Sequence, residues 1–281
     1  TAIWTGNNAN NRAIAVGFQP DFSWTQTRTQ YGNGSELFDS VRGAGKSLKS
    51  ETNAAEVTNK SSGYIGAFTS TGFTTADGSS SNSSINYNDG GGQSYVAWNW
   101  KAGGTASSNS DGSITSSVSA NTGAGFSIVS WTGTGSNATV GHGLGVAPSL
   151  IINKPRAIAD NWISWAEKLG TTGYIYLNLN NAAATGAAVW NSTVPTTSVF
   201  SVGTSSNANP SSGTMISYCF ANIEGYSKVG SYTGNGNNDG PFVFTGFRPA
   251  FILVKDTSVG NGWRIADNKR PAAFNVINES L

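Results

Sequence analysis

Few side chains in this sequence have the types and spacing that chemistry demands. They are a lone histidine, a lone cysteine, carboxylates that recur at fixed intervals, and nine tryptophans. His142 sits inside Val140-Gly141-His142-Gly143-Leu144-Gly145. A hydrolytic triad or a metal site needs partner groups in a recognisable frame, and the chain holds no Gly-x-Ser-x-Gly and no His-x-x-x-His. The spacing therefore predicts a structural turn histidine. Cys219 lies in an apolar run, Thr214 to Phe220, which predicts a buried or half-buried thiol rather than a nucleophile. Arg42-Gly43-Ala44-Gly45-Lys46-Ser47 resembles the end of a phosphate loop, but Ser40 stands where the first glycine of that motif belongs. Asn235-Gly236-Asn237-Asn238-Asp239-Gly240 resembles the start of a calcium loop, yet Gly246 stands where its distal glutamate should be. No metal and no cofactor are expected.

Glycoside hydrolysis needs two carboxylates converging in one cleft. Asp39, Glu167 and Asp267 recur once per repeat, which marks them as architectural rather than catalytic, so an enzyme is not expected. Aromatic rings can instead stack on sugar faces. Trp4, Trp131 and Tyr232 recur beside the Thr-Gly turn, Trp162 and Trp263 recur fourteen residues after the proline, and all five are expected to be core anchors. Trp24, Trp165 and Trp190 have no aligned counterpart and are the expected exposed platforms for a glycan.

These residues are placed by a repeat. Trp4-Thr5-Gly6, Trp131-Thr132-Gly133 and Tyr232-Thr233-Gly234 each precede a Gly-x-x-Pro turn: Gly17 to Pro20, Gly145 to Pro148, Gly246 to Pro249. The acidic residue follows at about the same distance in each copy. The first two copies continue into a back strand, Tyr95 to Trp100 and Thr214 to Phe220, while the third is a front half. The units expected are 1–103, 104–225 and 226–281, with residues 105–122 a linker or a polar edge strand. Strands are expected at 126–131, 149–153, 173–179, 226–232 and 250–255 from apolar alternation or short apolar runs.

Composition agrees. Thirty-six glycines and 11% charged residues suit short strands and many tight turns, and 11% aromatics argue against disorder. The expected fold class is all-β, as tandem small antiparallel β-sandwich or barrel-like modules in about two and a half copies. A net charge of +1 provides no field for nucleic acid, and no apolar run is long enough for membrane insertion by a helix. One cysteine excludes an intrachain disulfide.

The strings Gly125-Phe126-Ser127-Ile128-Val129-Ser130-Trp131-Thr132-Gly133, Val140-Gly141-His142-Gly143-Leu144-Gly145-Val146-Ala147-Pro148, Leu37-Phe38-Asp39-Ser40-Val41-Arg42-Gly43-Ala44 and Tyr95-Val96-Ala97-Trp98 resemble a repeat module of marine tailed-phage virion proteins. The resemblance implies a fibre-like or tail-fibre-like structural protein on the virion exterior. Such a protein would assemble as a homo-oligomer with copies of itself and other virion proteins, and would contact a host-surface glycan during attachment. It brings no catalytic or binding residues. A non-catalytic carbohydrate-binding module, a capsid decoration and a filament subunit are the alternatives.

Overall fold

The structure is a computed structural model that describes residues 1–29, 34–77, 87–88 and 92–270. It is all-β, with 39% of residues in strands and 3% helical, arranged in several antiparallel sheets without a closed barrel. The first unit contains β1 (Ala2–Thr5), β2 (Ala13–Ala15), β3 (Phe22–Thr27), β4 (Glu36–Asp39), β5 (Lys46–Lys49), β6 (Val57–Thr58), β7 (Tyr64–Thr69), β8 (Gly72–Ala76) and β9 (Ser94–Trp100). The second contains β10 (Ser107–Asn109), β11 (Ser116–Asn121), β12 (Phe126–Thr132), β13 (Ala138–Gly141), β14 (Leu150–Pro155), β15 (Ile163–Ala166), β16 (Gly173–Tyr176) and β17 (Ala184–Thr185). It continues with a one-turn helix α1 (Ala187–Trp190), then β18 (Val199–Val202) and β19 (Thr214–Phe220). The hairpin β20 (Phe251–Val254) and β21 (Arg264–Asp267) follows. Among the described residues no helix is long and apolar enough to cross a membrane.

The repeat is visible strand by strand. One main sheet has the order β1-β9-β3-β4-β5-β6, and the other contains β12-β19-β14-β15-β16 flanked by further strands. In both, the last strand of the unit inserts between two earlier ones, β9 between β1 and β3 and β19 between β12 and β14. The registers coincide too: Phe22 opposes Trp100 and Asp39, and Leu150 opposes Phe220 and Ala166. In the hairpin Phe251 opposes Asp267, so Phe22, Leu150 and Phe251 are equivalent positions. Each follows a turn in which Gly17, Gly145 or Gly246 has φ of 93°, 72° or 85°, a region glycine enters without a Cβ penalty.

Each main sheet has two buried faces, which is why its strands carry few exposed positions. The outer face of the first packs under β2, β7 and β8 around Trp4, Phe38, Phe73 and Tyr95. The outer face of the second packs under β13 and β18 around Trp131, Trp165, Trp190 and Phe200. The inner faces meet in one core that draws on all three copies, with Phe22, Trp24 and Trp98 from the first, Ile152, Trp162 and Tyr218 from the second, and Trp263 from the third. One face of each main sheet is thus spent on the shared interior.

Residues 105–122 contain the edge strand β10 and its neighbour β11, which resolves the linker-or-strand alternative in favour of strand. The strand expected at 226–232 is absent apart from one isolated bridge between Ile223 and Ser227. The reason is pairing. Its counterparts β1 and β12 are held by β9 and β19, and no such strand pairs with residues 226–232 among the described residues.

Candidate functional site

The densest group of functional side chains lies where the first two units meet. β4 delivers Asp39 and the following turn delivers Arg42, both fully buried at the side chain. Arg42 closes the turn on Asp39: its backbone N–H donates to Asp39 Oδ1 at 2.7 Å, its Nε donates to Oδ2, and its Nη2 donates to Leu37 O at 2.8 Å. β19 brings Tyr218 across from the second unit, and its hydroxyl donates to Asp39 Oδ2 at 2.7 Å while accepting from Arg42 Nη2 at 3.2 Å. Arg42 Nη1 reaches Glu56 at 3.2 Å, and Glu56 takes a two-pronged bond from Arg156 at 2.9 Å on each arm.

The electrostatics suit a locked joint. Burial alone would lower the Arg42 pKa, but the charge of Asp39, with Tyr218 and Glu56, raises it, so the guanidinium stays charged. Burial raises the Tyr218 phenol well above its ordinary value, so it remains a neutral donor. For Glu56 burial acts upward, yet hydrogen bonds from Arg156 and Arg42 hold its carboxyl below the usual range.

The same device recurs at the hairpin. Arg270 donates from its backbone N–H to Asp267 Oδ1 at 2.9 Å, from Nε to Oδ2 at 2.5 Å, and from Nη2 to Ile265 O at 2.9 Å. Trp98 of β9 takes the place of Tyr218, donating from Nε1 to Asp267 Oδ2 at 3.1 Å, and the Arg270 guanidinium lies 5.2 Å from its ring centroid. A second kind of joint also repeats. Trp162 Nε1 donates to Lys49 O and Trp263 Nε1 to Tyr176 O, each at 2.8 Å, and Lys49 and Tyr176 are the equivalent last residues of β5 and β16.

The three expected glycan platforms are not exposed. Trp24 is 2% exposed and meets Trp98 edge-on within the shared core. Trp165 and Trp190 are 4% and 1% exposed, and Trp165 Nε1 donates to Gly170 O. All three expectations are corrected: their ring faces are covered by protein. Trp24 does have counterparts, because four residues after each repeat proline stand Trp24, Ile152 and Leu253. Trp165 occupies the position of Phe38 on the outer face. Aromaticity was the wrong property to align on, since hydrophobicity recurs where ring type does not.

Glu167 is corrected as well. The register places Ala166, not Glu167, opposite Leu150, so the second unit has no carboxylate at the joint. Glu167 starts a 3-10 turn and accepts from Asn222 Nδ2 at 3.3 Å. Asp-x-x-Arg at Asp39/Arg42 and at Asp267/Arg270 was the sequence signal for the joints. Only its acidic half was noted as recurrent.

His142 is fully buried, with Nδ1 accepting from the Leu144 N–H and Nε2 donating to Thr196 O at 3.2 Å. Burial lowers its pKa against the bonds to Thr196 and the charge of Asp111. The native state therefore disfavours the proton that the unfolded chain binds below about pH 6.5. Stability is expected to fall with pH from about 6.5 down to the lowered native value, and then to level for this residue. His142→Gln should flatten that limb in urea titrations from pH 7.5 to 5 relative to the parent. Cys219 is fully buried and its thiol is pushed up to about 12 by burial. A thiol reagent at pH 8 is expected to label it at least about a hundredfold more slowly in native than in urea-unfolded protein.

The calcium-like loop satisfies itself: Asn235 and Asn237 side-chain oxygens accept from the backbone N–H groups of Asn237 and Asp239. Among the described residues no three His, Cys, Asp or Glu side chains group as a metal site. A depression of about 320 Å³ is lined by Gln19, Asp21, Ser40 and Thr105 among others. Its carboxylate, Asp21, is occupied by Ser40 Oγ at 3.1 Å and the Ala102 N–H at 2.8 Å.

Neither the curated proteins nor the solved structures contain a match to this chain. A family described as a domain of unknown function, DUF7483, matches it over residues 1–281. The chain therefore belongs to the DUF7483 family.

Proposed function

We propose that the chain is a non-enzymatic structural protein of a phage virion, an exterior fibre or appendage component that assembles with copies of itself and with other virion proteins and touches the host surface. The observation that supports a scaffold is the use made of its most capable side chains. Asp39, Arg42 and Tyr218, and again Asp267, Arg270 and Trp98, tie unit to unit with no face turned toward a ligand. A polar, weakly charged exterior of short strands and tight turns suits a particle component exposed to varied ionic conditions. The placement on a virion rests on the resemblance of the Phe126–Thr132 and Val140–Pro148 strings to tailed-phage fibre-like modules. The carbohydrate-binding alternative loses its named platforms, because Trp24, Trp165 and Trp190 are buried.

The test is immunogold labelling of purified particles of the phage that encodes the chain, using antibodies raised against residues 1–281. Gold at a fixed exterior position in most particles is the expected result. Antigen found only in the particle-free lysate would overturn the reading.

A further inference from the structure

The ion pairs of this chain differ in one chemical respect. Those of the joints, Asp39/Arg42 and Asp267/Arg270, use arginine, whose guanidinium stays charged and does not act as a nucleophile. Lysine is different, because an ammonium that yields its proton becomes an amine able to attack a carbonyl carbon. Among the described residues Lys49 pairs with Glu51 and Lys168 with Glu167, but these lysine side chains are 34% and 59% exposed and water solvates them. Lys60 with Glu36 lies in another setting.

β4 turns Glu36 toward the outer core of the first unit, on the face that also carries Phe38, and Glu36 is 2% exposed. Lys60, from the turn that joins β6 to β7, brings its Nζ into contact with Glu36 Oε1. Tyr87, buried and edge-on to Phe38, donates its hydroxyl to the other oxygen, Oε2, at 2.5 Å. Burial, and then the charge of Glu36, raises the Tyr87 phenol well above its ordinary value, so it remains a protonated donor. Burial also raises the carboxyl of nearby Glu51, with the Glu36 charge adding to it, as a site poor in water requires.

Two ions in such a place contribute little over neutral groups, because desolvation offsets their attraction. An amide carries neither charge, and the scarcity of water withholds the reactant that would hydrolyse it. The Lys60 side chain is 22% exposed, which leaves a path to solvent for a small product.

We infer that Lys60 and Glu36 condense in the folded chain to an amide between Nζ and Cδ. The step balances without a further reactant. The Nζ lone pair forms the bond to Cδ, the Cδ–Oε2 bond breaks, and Oε2 leaves as water with two protons from the ammonium. Oε1 becomes the amide oxygen, and Nζ keeps one hydrogen. Tyr87 is the catalytic residue, since one of the two protons reaches Oε2 through its hydroxyl. The product bridges residues 24 apart in sequence and pins the β6–β7 turn to β4, so even the unfolded chain keeps a closed loop. This chemistry is independent of any placement on a virion.

Mass spectrometry of the intact 281-residue chain, purified folded and then denatured, reads the bond directly. The parent is expected one water below its sequence mass, and trypsin should release a branched peptide joining the Glu36 and Lys60 segments. Lys60→Arg keeps the charge but cannot condense. It should stand at its full sequence mass and run more slowly than the looped parent in denaturing gels. Tyr87→Phe should slow the water loss after refolding by roughly a hundredfold; an unchanged rate would overturn the role given to Tyr87. A parent at full sequence mass, both freshly purified and after prolonged incubation in the folded state, would overturn the bond. Water loss that persists in Lys60→Arg would do so too. So would a loss that hydroxylamine converts to chain cleavage, because that places it at a succinimide such as Asp239-Gly240.

Discussion

Replacing Arg42 with alanine is expected to lower the unfolding free energy by roughly 3–5 kcal/mol, the cost typical of breaking a buried ion pair from one side. Asp39 has no exposure, and the variant strips it of the Nε donor while leaving the Tyr218 hydroxyl and one backbone N–H. The carboxylate must then stay charged in an apolar setting or take up a proton. Glu56 suffers less, because Arg156 still holds it from two sides. Urea unfolding followed by tryptophan fluorescence reads the effect as a lower midpoint with an unchanged slope. The double replacement Asp39→Leu/Arg42→Met removes both charges and should recover most of the loss, since paired buried ions contribute little over apolar groups of similar size. A loss below about 1 kcal/mol for the single variant would mean that the joint is not desolvated as described.

Trp24→Ala should cost a similar amount, roughly 3–5 kcal/mol, by leaving a cavity in the shared core. The informative part is how the variant unfolds. Trp24 packs in one cluster with Ile152 and Tyr218 of the second unit, so calorimetry should show a single transition moved to lower temperature. If only part of the heat uptake moved, the units would be thermally independent and the shared interior would be a loose contact. Trp24→Phe should be much milder. It keeps an aromatic ring, and it deletes an indole N–H that is buried without a hydrogen-bond partner. Neither variant is expected to alter binding of any sugar, since no face of this ring reaches solvent.

The repeat was legible in the chain because local rules wrote it. A glycine with positive φ, a proline two residues before a strand, and an apolar stretch after it are demands a turn and a strand make wherever they occur. All three copies meet them with the same offsets. The all-β class and the burial of Cys219 follow from equally local signals. The joints were half legible. Asp39 and Asp267 stood out by spacing, but their partners Tyr218 and Trp98 are 179 and 169 residues away in sequence. No periodicity reports a contact made between units.

Sequence by itself determined the all-β class, most of the segments that become strands, and the glycine-to-proline turns that correspond between copies. Tertiary structure alone decided what each strand faces. That Trp24 is an interior anchor rather than a sugar platform, and that residues 226–232 do not pair, depends on neighbours supplied by other copies of the module. Strand-forming tendency resides in a few consecutive residues, whereas burial and hydrogen-bond pairing belong to surfaces that exist only after distant segments have come together.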